Sequence, residues 1–320
     1  MKILAIQNRM GIGDTVIFLP YIKALSKKFN SPISLLVQNS SKANEYLFDT
    51  NYIDEILILE RDGENNDRHS GFFGSFKLIN DLKKYNFDKI FIFNSSLRFN
   101  LIARFSKIPE IYQYELFNKK KQHITDTPKK FFKDKLNLDV NEDPYIQISD
   151  KSILETMKKF QINKEELNIL LGIGGSGATK RIPSKTFIEV IDKILKIKKC
   201  RFFLATGKNN DEQVILSEIL NTRFKNFCVP LDNFSIKETL PIIKCCNLSI
   251  CNDSSFSHLS AALGVKTITL MADTPLIYGN YSSKMYPIIP DGEETVGHNT
   301  LGKDKINPQK IFNKFIEILN

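Results

Sequence analysis

The feature that most constrains this chain is a pattern it uses twice: a short apolar run, a glycine-bearing turn, then a helical stretch. Lys2-Ile3-Leu4-Ala5-Ile6-Gln7 runs into Asn8-Arg9-Met10-Gly11-Ile12-Gly13-Asp14, and Thr15 to Phe29 follows with helical spacing. In the second half, Leu167 to Ile173 runs into Gly174 to Arg181, and Ser184 to Ile197 follows as a helix with Ser184 as its expected cap. A continuous apolar run of this length reads as a strand buried on both faces, as parallel sheets require. Strands that alternate with helices predict a helix-covered parallel sheet, hence the α/β class.

The rhythm continues in both halves. In the first, strands are expected at Ile33 to Val37, Ile53 to Leu59 and Lys89 to Phe93, with helical stretches at Ser41 to Leu47 and Phe76 to Tyr85. Pro20 predicts a short first helix or a kink, and Gly63 to Gly74 reads as a loop. Asp150 to Leu167 reads as a helix and linker. Further strands are expected at Arg201 to Ala205, Phe227 to Val229, Leu248 to Cys251 and Thr267 to Met271, and the helices between them at Asp211 to Leu220, Ser235 to Cys245 and Phe256 to Leu263. A chain of 320 residues exceeds one ordinary core. The expectation is two doubly wound, Rossmann-like domains, 1–155 and 156–320, with a cleft between them where such folds bind nucleotides. The last helix, 308–319, begins with proline in its first turn and is a candidate to pack back on the N-terminal domain.

Composition narrows the partners. Hydrophobic residues make up 42% and charged residues 25%, which excludes a disordered chain. A net charge of +9 favours anionic partners. No aromatic–basic interleaving or recognition helix stands out, so nucleic acid is not expected. There is no apolar run of about 20 residues and no charged-then-apolar leader pattern. Cys200, Cys228, Cys245, Cys246 and Cys251 form no C-x-x-C pair and sit mostly in apolar runs, as buried thiols of a reducing, cytoplasmic protein would. The histidines are scattered, so no metal site is expected.

Three loops place chemistry where a strand hands over to a helix, a position rich in free backbone amides. The first lacks the third glycine of a dinucleotide fingerprint, since Val16 holds that place, and no P-loop lysine follows. It does offer Asp14, which reads either as a base for an acceptor hydroxyl or as a helix cap. The second, Gly172 to Arg181, combines small residues, the hydroxyls of Ser176 and Thr179, and the cations Lys180 and Arg181, a pattern suited to a diphosphate. The third, Cys251-Asn252-Asp253-Ser254-Ser255-Phe256-Ser257-His258, opens a helix whose dipole favours phosphate. Asp253 there reads as ligand contact or N-cap, and His258 as a cleft or a packed residue.

Together these loops resemble glycosyltransferase family 9, the lipopolysaccharide heptosyltransferases. Gly13-Asp14 with Pro20, Thr179-Lys180-Arg181-Ile182-Pro183, and Asn252 through Gly264 are similar to that family's N-terminal, central and C-terminal motifs. The resemblance implies a GT-B fold and an inverting, metal-independent transfer with no cofactor. It implies Asp14 as the catalytic base, and Ser176, Thr179, Lys180, Gly207, Asp253, Ser254, Ser255 and His258 as donor-binding residues. It implies a nucleotide diphosphate sugar, with ADP-heptose the expected one, as donor, and an anionic glycolipid such as lipopolysaccharide core as acceptor. Such an enzyme would work at the cytoplasmic face of the inner membrane, with peripheral contact. Arg9, Lys129, Lys130 and Lys133 are candidate acceptor-binding cations, within a basic stretch from Lys119 to Lys135 that reads equally as a solvated face. This chain departs from the family pattern at Ile182, where tryptophan is usual, and at Thr206-Gly207-Lys208, which lacks the usual proline. A capsule or exopolysaccharide transferase and a non-catalytic nucleotide-sugar binder are the alternatives.

Overall fold

A computed structural model of the chain describes residues 1–61, 67–116, 123–162 and 165–319. The start of the expected 63–74 loop and Lys119, Lys120 and Lys121 lie outside the described residues. The chain divides into two compact units, Met1–Gln147 and Ile148–Asn320.

In the first unit, β1 (Ile3–Gln7), β2 (Ile33–Gln38), β3 (Ile53–Leu59), β4 (Lys89–Ile92) and β5 (Glu110–Gln113) form a parallel sheet in the order β3-β2-β1-β4-β5. Among the described residues, four α-helices accompany them: α1 (Ile12–Phe29), α2 (Gly71–Lys83), α3 (Leu97–Phe105) and α4 (Asp126–Leu136). The central strand β1 is buried at every residue, which explains why it shows no alternation. Helix α1 runs unbroken through Pro20. The expected Ser41–Leu47 helix is instead two single 3₁₀ turns, Asn39–Ser41 and Ala43–Glu45. The basic stretch folds in part as α4, which buries Phe131, Phe132 and Leu136 beneath its lysines.

The second unit opens with α5 (Asp150–Lys159), N-capped by the Ser149 hydroxyl. Its strands are β6 (Leu167–Gly172), β7 (Cys200–Ala205), β8 (Cys228–Pro230), β9 (Leu248–Asn252), β10 (Lys266–Leu270) and β11 (Met285–Ile288). All pair in parallel, in the order β11-β10-β9-β6-β7-β8. The remaining helices are α6 (Ser184–Leu195), α7 (Asn210–Leu220), α8 (Ile236–Lys244), α9 (Ser255–Ala262) and α10 (Pro308–Leu319). The break between units falls after Gln147 rather than near 155, because α5 packs on α8. Helix α10 packs on α6, burying Ile311, Phe315 and Ile318 in the second unit's core. Pro183, not Ser184, precedes α6, and no side chain caps it; the Ser184 hydroxyl donates to Glu218 instead. The five cysteines are free, four of them buried, and burial pushes the Cys228 thiol up to about 12.

Both sheets are doubly wound. The chain lays β1, β2 and β3 in one direction and then returns to place β4 on the other side of β1. In the second unit, β6, β7 and β8 run one way, and β9, β10 and β11 build out from the other side of β6. Each sheet therefore has a switch point at its carboxyl edge, between β1 and β4 and between β6 and β9. Loops leaving adjacent strands there diverge to opposite faces and open a crevice.

Candidate active site

All three loops singled out in the sequence sit at these two switch points. In the second unit the glycine-rich loop leaves β6 and the Asn252–Ser254 turn leaves the neighbouring β9. Asn252 is fully buried, and its Nδ2 donates to the carbonyls of Ile173 (2.9 Å) and Gly174 (3.2 Å), fastening the two loops together. Beside it, Lys180 Nζ reaches Asp253 Oδ2 at 3.0 Å, and His258 Nε2 lies 3.8 Å from Asp253 Oδ1. Lysine, aspartate and histidine thus form one row, closed by Tyr281, whose hydroxyl is 2.8 Å from His258 Nδ1 and whose ring stacks on the imidazole.

The electrostatics follow from burial. Asp253 is 5% exposed. Burial alone would raise its carboxyl, but the charges of His258 and Lys180 and the Thr274 hydroxyl outweigh that and hold it below the ordinary range. For His258, burial pushes the imidazole down, Asp253 pulls it up and Lys180 pushes it down again; the net direction is downward. Lys180, at 3.0 Å, is the nearer cation to the Asp253 carboxylate. Asp253 does not cap α9; Ser254 holds the N-cap position without a side-chain bond.

The orphaned atoms point to a ligand. Among the described residues, Thr206 Oγ1, Asn252 Oδ1 and Ser254 Oγ are buried with no protein partner, and all three belong to loops at this edge. Buried polar atoms without partners are rare and call for an explanation. Two are hydroxyls able to donate to phosphate, and the third is a carbonyl oxygen able to accept from a sugar hydroxyl. Ser255 opens α9, whose first-turn amides have no intrahelical acceptor.

Other candidates have settled roles. Ser176 is exposed on the loop. Thr179 bonds Asp273, which follows β10 and also accepts from Leu301 N at 2.8 Å. Arg181 binds the Gly175 carbonyl and Asp211, so it braces the loop and is not a free cation. Glu212 was not picked out in the sequence, yet it organises the β7 side. From the first turn of α7 its carboxylate accepts the Gly175 N–H at 2.6 Å and an amide hydrogen of Asn209. A Cβ on Gly207 would come within 2.2 Å of Glu212 Oε2. Gly207 therefore makes room for Glu212, and Gly207→Ala should lower stability by about 1–3 kcal/mol. Chemical denaturation checks this; a change near zero would show that the carboxylate moves aside freely.

In the first unit, Asp14 is the third residue of α1 and Gly11 its N-cap, at φ 102°, a conformation that suits glycine. The capping alternative for Asp14 therefore falls away. Gln7 accepts from Arg9 N at 2.8 Å and donates to the Asp14 carbonyl at 3.4 Å, holding the turn by its ends. Arg9 lies 4.0 Å from the Asp14 carboxylate. Asn94, after β4, donates to Asn8 Oδ1 at 3.0 Å, so this turn also meets its neighbour at the switch point. On α4, Lys129, Lys130 and Lys133 are exposed, and the last two pair with Asp134 (2.9 Å) and Asp139 (2.6 Å). Such pairs are weak. Among the described residues, no group of three or more His, Cys, Asp or Glu is gathered to hold a metal.

Comparison with known proteins agrees with this geometry. The family described as glycosyltransferase family 9 (heptosyltransferase) matches residues 75–289, a span that includes the loops after β6, β7 and β9 and leaves Asp14 outside. Lipopolysaccharide heptosyltransferase 1 of Campylobacter coli is 25% identical over 207 residues, which cover 54% of this chain and 59% of that protein. Among solved structures, a family 9 glycosyltransferase from Veillonella parvula superposes with a TM-score of 0.79 at 18% identity, covering 99% of this chain and 97% of that one. The E. coli ADP-heptose lipopolysaccharide heptosyltransferase II superposes with a TM-score of 0.73 at 19% identity, covering 100% and 98%. These two likenesses speak to the fold, and the family match speaks to descent. This chain belongs to glycosyltransferase family 9.

Proposed function

We propose that this protein transfers a heptose from ADP-heptose to the core of a lipopolysaccharide, by a single inverting displacement that needs no metal. The observation that carries the donor side is the convergence at the β6–β9 switch point. There, Lys180, the first turn of α9 and the orphaned hydroxyls of Thr206 and Ser254 supply one cation and several donors. That set suits a diphosphate, and Asn252 Oδ1 suits a hydroxyl of the attached sugars. The choice of ADP-heptose rests on family membership and on the E. coli relative bearing that donor's name.

In the proposed reaction the acceptor hydroxyl oxygen attacks the anomeric carbon while the bond to the diphosphate oxygen breaks. Asp14 accepts the proton released by the acceptor. Lys180 and the α9 amides take up the negative charge that grows on the departing diphosphate. Arg9 and the α4 lysines would serve an anionic acceptor.

Calorimetric titration with ADP, GDP and UDP in the presence of EDTA tests this reading. ADP should bind at least about tenfold more tightly than the others, a difference of about 1.4 kcal/mol. Preference for GDP or UDP would move the enzyme to a capsule or exopolysaccharide donor. Binding to none would remove the donor-site assignment.

A further inference from the structure

Helices α2 and α3 carry an apolar surface that the core does not use. Their inward faces, including Leu78 and Leu82 on α2 and Ile102 and Ala103 on α3, join one buried cluster with Ile90 and Ile92 of β4. Both helices therefore cover the same face of the first sheet. They also lie side by side: Arg98 Nε donates to Ser75 Oγ at 2.9 Å, and Ser106 Oγ to the Ile79 carbonyl at 3.4 Å. Their outer faces consequently look the same way.

On those outer faces stand Phe72 (74% exposed), Phe73 (78%) and Phe76 (51%) from α2, and Leu97, Leu101 and Phe105 (62%) from α3. The α3 residues recur every fourth position, so they form a stripe. Phe72 packs edge-on against both Phe73 and Phe76, with centroids 5.8 and 5.0 Å apart, so the rings form a cluster. Single exposed apolar residues are ordinary, but a cluster and a stripe on neighbouring helices mark an interaction surface. The charges on the same two helix faces are one-sided. Lys77, Lys83 and Arg104 are exposed on these helices and Lys84 and Lys107 just beyond their ends, while Asp81 is already held by Arg68 and Lys84.

We propose that the α2–α3 face docks on an anionic lipid bilayer, its phenyl rings entering the headgroup boundary and its cations meeting lipid phosphates. Exposed aromatic rings with lysine and arginine on the same pair of helices are what an interfacial, non-spanning contact requires. Among the described residues no helix is long and apolar enough to cross a membrane. The one-sided charge argues for an acidic surface, and the choice of a bilayer over a protein partner rests on the glycolipid acceptor proposed above.

The test is co-sedimentation of the full chain, without donor or acceptor, with vesicles of equal parts phosphatidylethanolamine and phosphatidylglycerol. Vesicles of phosphatidylcholine serve as the comparison. Binding should favour the anionic vesicles and weaken with salt. The variant F72S/F73S/F76S should lose about tenfold or more in vesicle affinity, with its thermal midpoint and ADP affinity unchanged. Separately, K77Q/R104Q should flatten the salt dependence. Three results would each overturn the proposal: wild-type protein that ignores anionic vesicles, a phenylalanine variant that binds them undiminished, or a wild-type dimer that the same substitutions dissociate. ADP titration of the same samples keeps a failed donor assignment apart from a failed membrane assignment.

Discussion

Asp14→Asn should cut kcat by about 100-fold or more while leaving ADP affinity unchanged. Asparagine keeps the shape and most of the hydrogen bonding of the carboxylate but cannot take a proton from an acceptor hydroxyl. The structure removes the chief competing role, since Gly11 occupies the N-cap of α1 and Asp14 is two residues inside the helix. Besides its contact with Arg9 at 4.0 Å, the side chain gives the helix a negative charge in its first turn, worth about 0.3–1 kcal/mol. Polar ties that do not use the carboxylate also steady this turn, from Gln7 to backbone atoms at Arg9 and Asp14 and from Asn94 to Asn8. The variant should thus fold with nearly the same thermal midpoint, and initial rates with saturating donor and acceptor would report chemistry alone. Turnover near the wild-type level would take Asp14 out of the mechanism. A matched loss of rate and stability would make it a structural residue.

How much of this was readable from the sequence depended on how each segment is buried. Strands buried on both faces, such as β1 and β6, appear as mainly apolar runs and were placed to within a residue. Of the edge strands, β3 and β8 were legible as apolar runs, but β5 and β11 gave no such signal. β5 is half-exposed and polar at both ends, and β11 contains Pro287, which only an edge position tolerates. Helix α4 was hidden because its lysines dominate the composition while Phe131, Phe132 and Leu136 do the packing. The glycine-rich loop after β6 was legible because glycine, serine and paired cations after a strand point to an anion. Its internal wiring was not. That Arg181 braces Gly175, that Thr179 turns to Asp273, and that Glu212 reaches 37 positions back to Gly175 are facts of tertiary contact. The one available signal for Glu212 was its place as the third residue of a helix that opens beside a glycine turn.

The Lys180–Asp253 pair offers the sharpest separation of architecture from function. Lys180→Met alone should lower stability by about 1–3 kcal/mol, because it leaves a buried carboxylate without its cation. The lower part of that range allows for Lys180 being about a quarter exposed, its side chain at 26% against 4% for Asp253. His258 stands farther from that carboxylate, at 3.8 Å against 3.0 Å for the lysine, and burial disfavours its charged form. Asp253→Asn added to Lys180→Met removes the uncompensated charge and should restore most of the lost stability, a coupling that a double-mutant cycle by chemical denaturation would measure. ADP affinity should behave differently. It should fall about tenfold or more in the lysine variant, the scale of a lost charge-assisted bond to phosphate, and remain low in the double variant. If the double variant recovered ADP binding along with stability, Lys180 would be only Asp253's counterion, and the α9 amides with the Ser254 and Thr206 hydroxyls would have to hold the diphosphate alone. If instead stability returned without affinity, the lysine would carry both tasks, with Asp253 fixing where its charge stands.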